Sequence, residues 1–244
     1  MKTEIYVIAH RAFTPPAAAK GPYTPLYVGA AAGNIVPPGS ARDDEGQNIS
    51  ARNPWYCELT GLYWIWKHGT ADVEGLCHYR RYFVTPRGKL ENLLWGRQSG
   101  FLTEAQITEL LRGADMIRHN PTFFGAGVAA HYAQHHDPAT LQKVEQILAA
   151  RHPADLAAYR QVMQGKKAHL LNMMITTRPL LNEYAEWLFD ILFCLEEQVG
   201  LGPDTKRLMG YLAERLLDVW ILSRGLRAAD CFSINTERVD RLPF

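Results

Sequence analysis

The 244-residue chain has few cysteines, and no two of them form a CxxC pair; they are Cys57, Cys77, Cys194 and Cys231. This spacing argues against a zinc site and a disulfide framework, and we expect reduced cysteines in the core of a cytoplasmic protein. No run approaches the roughly 20 apolar residues that cross a bilayer. The apolar run in the N-terminal MKTEIYVIAH is too short for a signal peptide and lacks a cleavage site. We therefore expect a soluble protein that is at most peripheral at the inner face of the cytoplasmic membrane.

The sequence also lacks an excess of either charge, since 26 Lys and Arg residues face 25 Asp and Glu residues and the formal net charge is +1. No global basic field therefore predicts a nucleic-acid partner. A GxGxxG motif after the first predicted strand, a Walker loop and a GxSxG motif are all missing, which argues against the enzyme classes that use them. No DxD-type acidic pair is expected at a strand end either, because Asp43 and Asp44 lie in a predicted loop with no predicted strand directly before it.

What the chain does contain is an alternation of strand-like apolar runs with amphipathic helices. Apolar runs predict strands at 4–10, 25–33, 73–83, 114–121, 169–179 and 230–235. Helical spacing and capping residues predict helices from Asn53 to Gly69 and over 103–113, 131–150, 153–164, 179–199 and 205–223, with a turn near Asp137-Pro138. This alternation predicts an α/β layered fold with a mainly parallel sheet. No change in composition divides the chain, so we expect a single domain over 1–244.

The stretch GLCHYRRYF at 75–83 begins as a buried strand and then places cations among aromatic rings. In a strand, His78 and Arg80 would face one side of the sheet, and Tyr79 and Arg81 the other. Because an arginine stays charged and is costly to bury unpaired, we expect this run at the carboxyl end of the strand. Ligands of open α/β sheets bind at that edge, where two arginines could hold a diphosphate and Tyr79 and His78 could stack or donate hydrogen bonds.

A structural alternative for the same two arginines stays open. Arg80 and Arg81 could pair with carboxylates at the edge of the core, such as Glu58 or Asp72.

The loop DDEGQNISARN at 43–53 is a second candidate site. Asn48, Ser50 and Asn53 offer polar side chains just before a predicted helix, whose free backbone N–H groups and dipole favour anions. Ordinary turn and capping contacts would explain the same residues.

A third candidate is a polar stripe on the helix predicted over 205–223. Arg207, Tyr211, Glu214 and Asp218 follow one another at helical spacing, beside a leucine-rich core face. A carboxylate between Tyr and Arg could act as a general base. A solvated stripe with ion pairs along the helix is the alternative.

The segment HYAQHHD at 131–137 places His131 and His135 on one helix face, with Asp137 nearby. No Glu follows as it does in HExxH, so polar contacts with a substrate, or plain surface, are favoured over a zinc site.

Several blocks, read together, resemble one known family. IYVIAHR, DDEGQNISARNPWYCELTGLYWIWKH, GLCHYRRYF, MMITTRPLLNEYAEWLFDIL and GYLAERLLDVWI follow one another along nearly the whole chain. They resemble a bacterial family, long described as a domain of unknown function, that is found in capsule, exopolysaccharide and O-antigen loci. Its members are glycosyltransferases, and some resemble β-galactofuranosyltransferases that use UDP-galactofuranose.

This resemblance implies a UDP-sugar-dependent hexosyltransferase with a variant of the Rossmann-like glycosyltransferase A fold. Ala9, His10 and Arg11 would then lie near the nucleotide, and CHYRRYF would occupy the place of the DxD motif. We expect Arg80 and Arg81, with His78 or Tyr79, to replace the metal that stabilises the leaving UDP. No cofactor is expected, and a divalent metal is possible without being expected.

The resemblance also implies roles for residues further along the chain. Glu214 is the expected base of an inverting transfer, with Asp44 and Asp43 as the next candidates. Tyr132 and His136 would line the acceptor side, and Asn172 and Met173 would lie beside the donor sugar. The partners implied are a UDP-sugar donor and a glycan or lipid-linked glycan acceptor.

Two departures from the family pattern stand out. The loop contains DDEGQNIS where DNTGDNIS is expected, which weakens any role for Gln47, and HYAQHHDPATL has an additional His. The rival interpretations are a nucleotide-sugar mutase, epimerase or hydrolase, a non-catalytic nucleotide-sugar-binding subunit of a polysaccharide assembly complex, and a nucleic-acid binder that uses HYRRY.

Overall fold

A computed structural model describes residues 1–237, and residues 238–244 of the expected single domain lie outside the described part. The strands are β1 (Thr3–Ala9), β2 (Tyr23–Tyr27), β3 (Ala41–Arg42), β4 (Val73–His78), β5 (Arg81–Val84), β6 (Met116–His119), β7 (Thr122–Phe123), β8 (Lys167–Ala168), β9 (Met174–Thr177) and β10 (Ala228–Asn235). The α-helices are α1 (Asn53–Tyr56), α2 (Leu59–His68), α3 (Pro86–Trp95), α4 (Glu104–Gly113), α5 (Val128–Ala133), α6 (Ala139–Arg151), α7 (Leu156–Gln164), α8 (Arg178–Val199) and α9 (Leu208–Ser223).

The main sheet has a parallel half and a mixed half. Strands β3, β2, β1 and β4 pair in that order and all run parallel. Beyond β4 the strands form a closed ring, since β4 pairs with β9, β9 with β6, β6 with β10, β10 with β5, and β5 returns to β4. Within this ring the β6–β10 pair is parallel and the other pairs are antiparallel. The expected α/β architecture is therefore observed, but the expected parallel sheet is limited mainly to its first half.

Apolar side chains cover both faces of the sheet, as the period-two pattern of β1 requires. Tyr6 and Ile8 point to a face covered by α2 and by α6 to α9. Ile5, Val7 and Ala9 point to the other face, where α4 and residues of β5 and β10 complete the core. The strand ends therefore remain the open part of the sheet.

A buried ion pair ties the start of β4 to two helices. Arg178, the first residue of α8, contacts Glu74 at 2.5 Å and donates to the carbonyls of Ile65 and Trp66 at 2.7 Å each. Glu74 is fully buried and also accepts from the backbone N–H of Ala71 at 3.0 Å. The guanidinium thus satisfies the last carbonyls of α2 while it neutralises the carboxylate, which holds α2 and α8 against the sheet.

Two predicted elements are interrupted in the structure. The helix expected from Asn53 to Gly69 breaks at Cys57, whose φ is 52°, and continues as α2. Asn53 does not cap it, because its side chain donates to the Cys57 carbonyl (2.8 Å) and to the Thr60 hydroxyl (3.1 Å). The strand expected over 169–179 is regular only over β9, since Leu171 and Asn172 have φ values of 89° and 49°.

Other differences concern the region after β4. The segment 73–83 is predicted as a strand that runs into a loop. In the structure it is a tight hairpin, in which residues 79 and 80 form the turn between β4 and β5. Helix α3 has no counterpart in the prediction. By contrast, the capping box of Thr103 and Gln106 at the start of α4 is confirmed, as is the break between α5 and α6 near residue 137.

None of the helices within residues 1–237 combines the length and the apolar composition that crossing a membrane requires.

Gly75 allows β9 to pack closely against β4. A Cβ built at this position would lie 2.8 Å from the Ile175 Cα and closer still to the Met174 carbonyl oxygen. We expect Gly75→Ala to lower the free energy of unfolding by about 1–3 kcal/mol, since the backbone of β9 must move. Urea denaturation measures this change. Gly113→Ala is the matched control, because nothing lies within 4 Å of its added Cβ; equal stability of the two variants would contradict the prediction.

Candidate active site

A cleft of about 650 Å³ opens at the edge of the sheet where β1 and β4 end. It is lined by Ile8, His10, Arg11, Val28, Asn53, Pro54, Cys57, Glu58, His78, Tyr79, Arg80, Arg81, Leu171, Arg207 and Glu214. Nine of these are residues that the sequence singled out for a candidate site: His10, Arg11, Asn53, His78, Tyr79, Arg80, Arg81, Arg207 and Glu214. Residues that are distant in the chain therefore meet at the carboxyl ends of parallel strands, where ligands of α/β sheets bind.

A groove of about 700 Å³ between α6, α8 and α9 is the alternative concavity. Its cations pair with nearby carboxylates: Asp190 accepts from Arg151 and from His152 at 2.8 Å each, and Arg224 contacts Asp155 at 2.7 Å. The sheet-edge cleft is the better candidate because it brings charged groups from distant parts of the chain together at the carboxyl ends of β1 and β4.

One wall of the cleft is cationic and is organised around the Tyr79 ring. The register that pairs Ile8 with His78 places the residues after β1 beside the β4–β5 turn. The Arg11 guanidinium lies 5.2 Å from the centre of the Tyr79 ring and that of Arg80 lies 5.7 Å from it. Desolvation in the cleft and the charges of Arg11 and Arg80 lower the pKa of His10, whose ring meets Tyr79 edge-on.

The carboxylate of Glu237 meets two of these cations. It lies 2.5 Å from Arg11 and 3.8 Å from Arg80. The preceding residue is tied to the same turn, since the Thr236 N–H donates to the Arg80 carbonyl at 2.9 Å. The wall therefore already holds an anionic group of its own chain, which demonstrates the kind of ligand that it can take.

The two alternative partners named for the arginines each make another contact. Asp72 lies at the other end of β4 and accepts from the backbone N–H of Lys2 at 2.7 Å. Glu58 accepts from the side chain of Asn172. His78 and the half-buried Arg81 also line the cleft, where burial lowers the pKa of His78, assisted by the charges of Arg81 and Arg80 and opposed by that of Glu58.

The opposite wall is acidic and is positioned by the break between α1 and α2. The left-handed backbone of Cys57 turns the chain so that Glu58 lines the cleft. Helix α9 packs against this break at Gly210, where an added Cβ would lie 3.3 Å from the Cys57 sulfur. Burial raises the pKa of the Cys57 thiol to about 12, so this side chain stays neutral beside the acids.

Glu214, one turn further along α9, has a strongly perturbed pKa. Burial, and then the charge of Glu58, raise its pKa from 4.5 to about 7. The guanidiniums of Arg215 and Arg207 and the Leu171 N–H, which donates to Glu214 at 3.1 Å, oppose this rise. A mostly buried carboxyl that lines a cleft and has its pKa raised toward neutral pH is suited to general base catalysis.

A strained loop links the two acids. Leu171 donates its N–H to Glu214, while the Asn172 side chain donates to Glu58 at 2.7 Å and to the Gly210 carbonyl at 3.0 Å. Both loop residues have left-handed backbones, which cost about 1–3 kcal/mol each. These contacts hold the two carboxylates in fixed positions relative to each other.

Several predicted site residues lie outside the cleft lining. In the 43–53 loop, Ser50 donates to the fully buried Asp43 at 2.5 Å, Asp44 pairs with Arg42, and the side chain of Asn48 bonds within the loop. Ala9 is buried in the strand that leads to the cleft.

The residues expected around the sugars lie behind the cleft or beside it. Met173 is buried in the core, and Asn172 supports Glu58 from behind the lining. Tyr132 is fully buried and bonds to Thr140. His136 packs on the ring of Tyr211 at 4.2 Å, and the Arg207 guanidinium lies 4.9 Å from the same ring, so His136 lies next to the cleft.

The sequence interpretation missed the roles of Cys57, Glu58, Leu171 and Glu237 in this cleft. The polar stripe that includes Arg207 and Glu214 was a usable signal, because both residues line the cleft. Asp218 of the same stripe instead bonds to Arg118 and His169 at 2.7 Å each. Across residues 1–237, no three His, Cys, Asp or Glu side chains are grouped so that they could hold a metal ion.

Comparison with known proteins places this geometry in context. The family described as "Domain of unknown function (DUF4422)" matches residues 4–225. A solved structure of WbbM, a bifunctional glycosyltransferase in its apo form, superposes with a TM-score of 0.80 at 25% sequence identity. The match covers 98% of this chain and 46% of that protein, so this chain spans about half of its length. No significant match was found among curated proteins.

The raised pKa of Glu214 predicts a pH-dependent cost in stability. Because its folded pKa is about 7 and its usual value is 4.5, the folded state binds more protons than the unfolded state between these values. Stability therefore falls as the pH rises through this window, by about 3 kcal/mol at most. Urea denaturation of the wild type and of Glu214→Gln at both ends of the window measures the effect. A difference between the two proteins that does not change with pH would contradict it.

Proposed function

The chain belongs to the DUF4422 family, and from this premise we propose that it is a glycosyltransferase that moves a hexose from a UDP-sugar to a growing surface polysaccharide. The observation that carries the proposal is the cleft itself, in which a cationic wall at a sheet edge faces a buried carboxyl with a pKa of about 7. The likeness to a bifunctional glycosyltransferase over almost the whole chain supports the same reaction class. Galactose and galactofuranose are the proposed sugars, on the family resemblance.

The cationic wall is the proposed site of the donor diphosphate. A departing UDP gains negative charge on its β-phosphate, and fixed guanidiniums can stabilise that charge with little reorganisation. Arg80 and Arg11 converge on Glu237, and Arg81 lines the same wall. We assign to these groups the part that a divalent cation plays at an acidic strand-end motif.

Glu214 is the proposed base of an inverting displacement. The acceptor hydroxyl oxygen forms a bond to the anomeric carbon, its proton passes to a Glu214 carboxylate oxygen, and the bond from that carbon to the UDP oxygen breaks. The Leu171 N–H holds the carboxylate in place, and burial makes its pKa high enough to accept a proton near neutral pH. Glu58, held by Asn172, is available to contact a sugar hydroxyl.

A non-catalytic nucleotide-sugar-binding subunit is the alternative function. The cationic wall alone would suit it, but the buried, perturbed Glu214 favours catalysis.

The reaction itself is tested with purified protein, a panel of UDP-sugars and synthetic or lipid-linked glycan acceptors, with products identified by mass spectrometry. We expect sugar transfer to persist in EDTA. Glu214→Gln should reduce the rate of transfer by at least about a hundredfold, as loss of a general base does. Binding of UDP by this variant should remain, which shows that it is folded. UDP-sugar binding without turnover on any acceptor would favour the binding subunit, and activity abolished by EDTA and restored by manganese would reject the arginine assignment.

Substitutions of Arg80 and of Glu237 should change the affinity for UDP in opposite directions. A diphosphate that enters the wall displaces Glu237, so Glu237→Gln should tighten UDP binding by roughly threefold, as expected for an exposed ion pair. Arg80→Ala should weaken binding and reduce turnover by roughly a hundredfold. Calorimetry with UDP measures both affinities, and Glu109→Gln, which removes another exposed carboxylate paired with an arginine, is the control. If Arg80→Ala binds UDP as tightly as the wild type does, the diphosphate does not bind at this wall.

A further inference from the structure

Helix α3 is packed with most of its large apolar side chains facing outward. Its fully buried residues are Gly88 and Asn92, whereas Leu90, Leu94 and Trp95 are 53%, 50% and 63% exposed. A surface helix normally shows the reverse, with apolar residues toward the core. The contacts made within residues 1–237 therefore do not explain the outward Leu90, Leu94 and Trp95.

The inner face of α3 is adapted to close packing. An added Cβ at Gly88 would lie 2.5 Å from the Ser99 carbonyl oxygen, so the helix packs directly on the backbone of the segment that follows it. The Asn92 side chain donates to the Arg97 carbonyl at 3.2 Å. These contacts fix the rotation of α3, and its apolar side cannot turn inward without losing them.

Cations flank the apolar side. Arg87 and Arg97 are exposed, and Glu91 is the one acidic residue in 86–97. The Arg87 side chain pairs with Glu91 at 2.8 Å and is still 88% exposed, and the Arg97 guanidinium lies 5.4 Å from the Trp95 ring. An apolar stripe with tryptophan and flanking cations is the composition of helices that lie in the interface of anionic membranes.

The segment that follows α3 is connected to the cleft. Gln98, which follows the helix, donates to the Thr236 carbonyl at 2.8 Å, and Thr236 donates to the carbonyl of Arg80. Gln98 and Glu237 line a recess of about 350 Å³ beside the cleft, together with Arg11 and Tyr79. A surface that α3 contacts would therefore lie close to the cationic wall.

We propose that the outward side of α3, formed by Leu90, Leu94 and Trp95 with Arg87 and Arg97, docks on an anionic lipid bilayer. The leucines and the indole enter the headgroup region, and the guanidiniums contact lipid phosphates. Such docking would present the cleft to a lipid-linked acceptor, a consequence that rests on the proposed glycosyltransferase function, whereas membrane binding itself does not.

Co-sedimentation with vesicles tests the proposal without any sugar substrate. We expect the wild type to bind vesicles of equal parts phosphatidylcholine and phosphatidylglycerol, to bind phosphatidylcholine alone more weakly, and to be released by salt. A variant with Leu90→Gln, Leu94→Gln and Trp95→Gln should lose at least about tenfold in partition coefficient. The control replaces two apolar residues elsewhere that are even more exposed, Ile35→Gln and Phe123→Gln, and should bind as the wild type does.

Fluorescence locates the contact independently of the triple variant. Brominated lipids should quench tryptophan emission of the wild type on anionic vesicles, and Trp95→Phe should bind vesicles while losing most of that quenching. Absence of binding to anionic vesicles, or equal loss in the control variant, would overturn the proposal. A wild-type dimer that the triple variant converts to a monomer would overturn it too, since a second copy of the chain would then cover α3.

If the proposed function is wrong but α3 docks on membranes, vesicle binding persists and no sugar is transferred. If α3 does not dock, transfer to soluble acceptors persists and vesicle binding is absent.

Discussion

The parallel pairing of β1 with β4 is the constraint on which the cleft depends. It places the residues that follow both strands at one edge of the sheet, so that Arg11 and Arg80 meet across the ring of Tyr79. The hairpin between β4 and β5 then turns the chain back within two residues, which keeps the guanidiniums at the edge and out of the core. The ring of strands around β9 and β10 secures the far side of β4 and leaves this edge open.

The chemistry of the cleft follows from the separation of its charges. On the cationic wall, Arg11 and Arg80 contact Glu237 and are exposed enough to exchange it for another anion. On the other side, Glu214 is buried near a second carboxylate, and that environment raises its pKa to about 7. The strained loop at Leu171 and Asn172 holds both acids by hydrogen bonds, and strain of this kind is found where a site needs fixed geometry.

Local sequence patterns identified the parts of this site whose residues lie together in one short segment. The run of His78, Tyr79, Arg80 and Arg81 was recognisable, because two arginines that follow a buried strand need an anion or the solvent. The break at Cys57 was not recognisable, since the apolar spacing of 55–66 suits one continuous helix. Consequently the position of Glu58 in the cleft could not be predicted. The contacts of Asn48 and Ser50 within their own loop, by contrast, are the ordinary turn contacts that the sequence left open as the alternative.

The sequence by itself determined the alternation of strands and helices, the capping box at Thr103, and the cation-rich strand end that marks the cleft. Only the tertiary structure decided that the second half of the sheet closes into a mixed ring, that Glu237 meets Arg11, and that α3 turns its leucines outward. The reason is that hydrophobic period and capping act over a few residues, whereas these features depend on pairs of groups that are distant in sequence. Their energies are set by burial and by charges that converge only when the chain is folded.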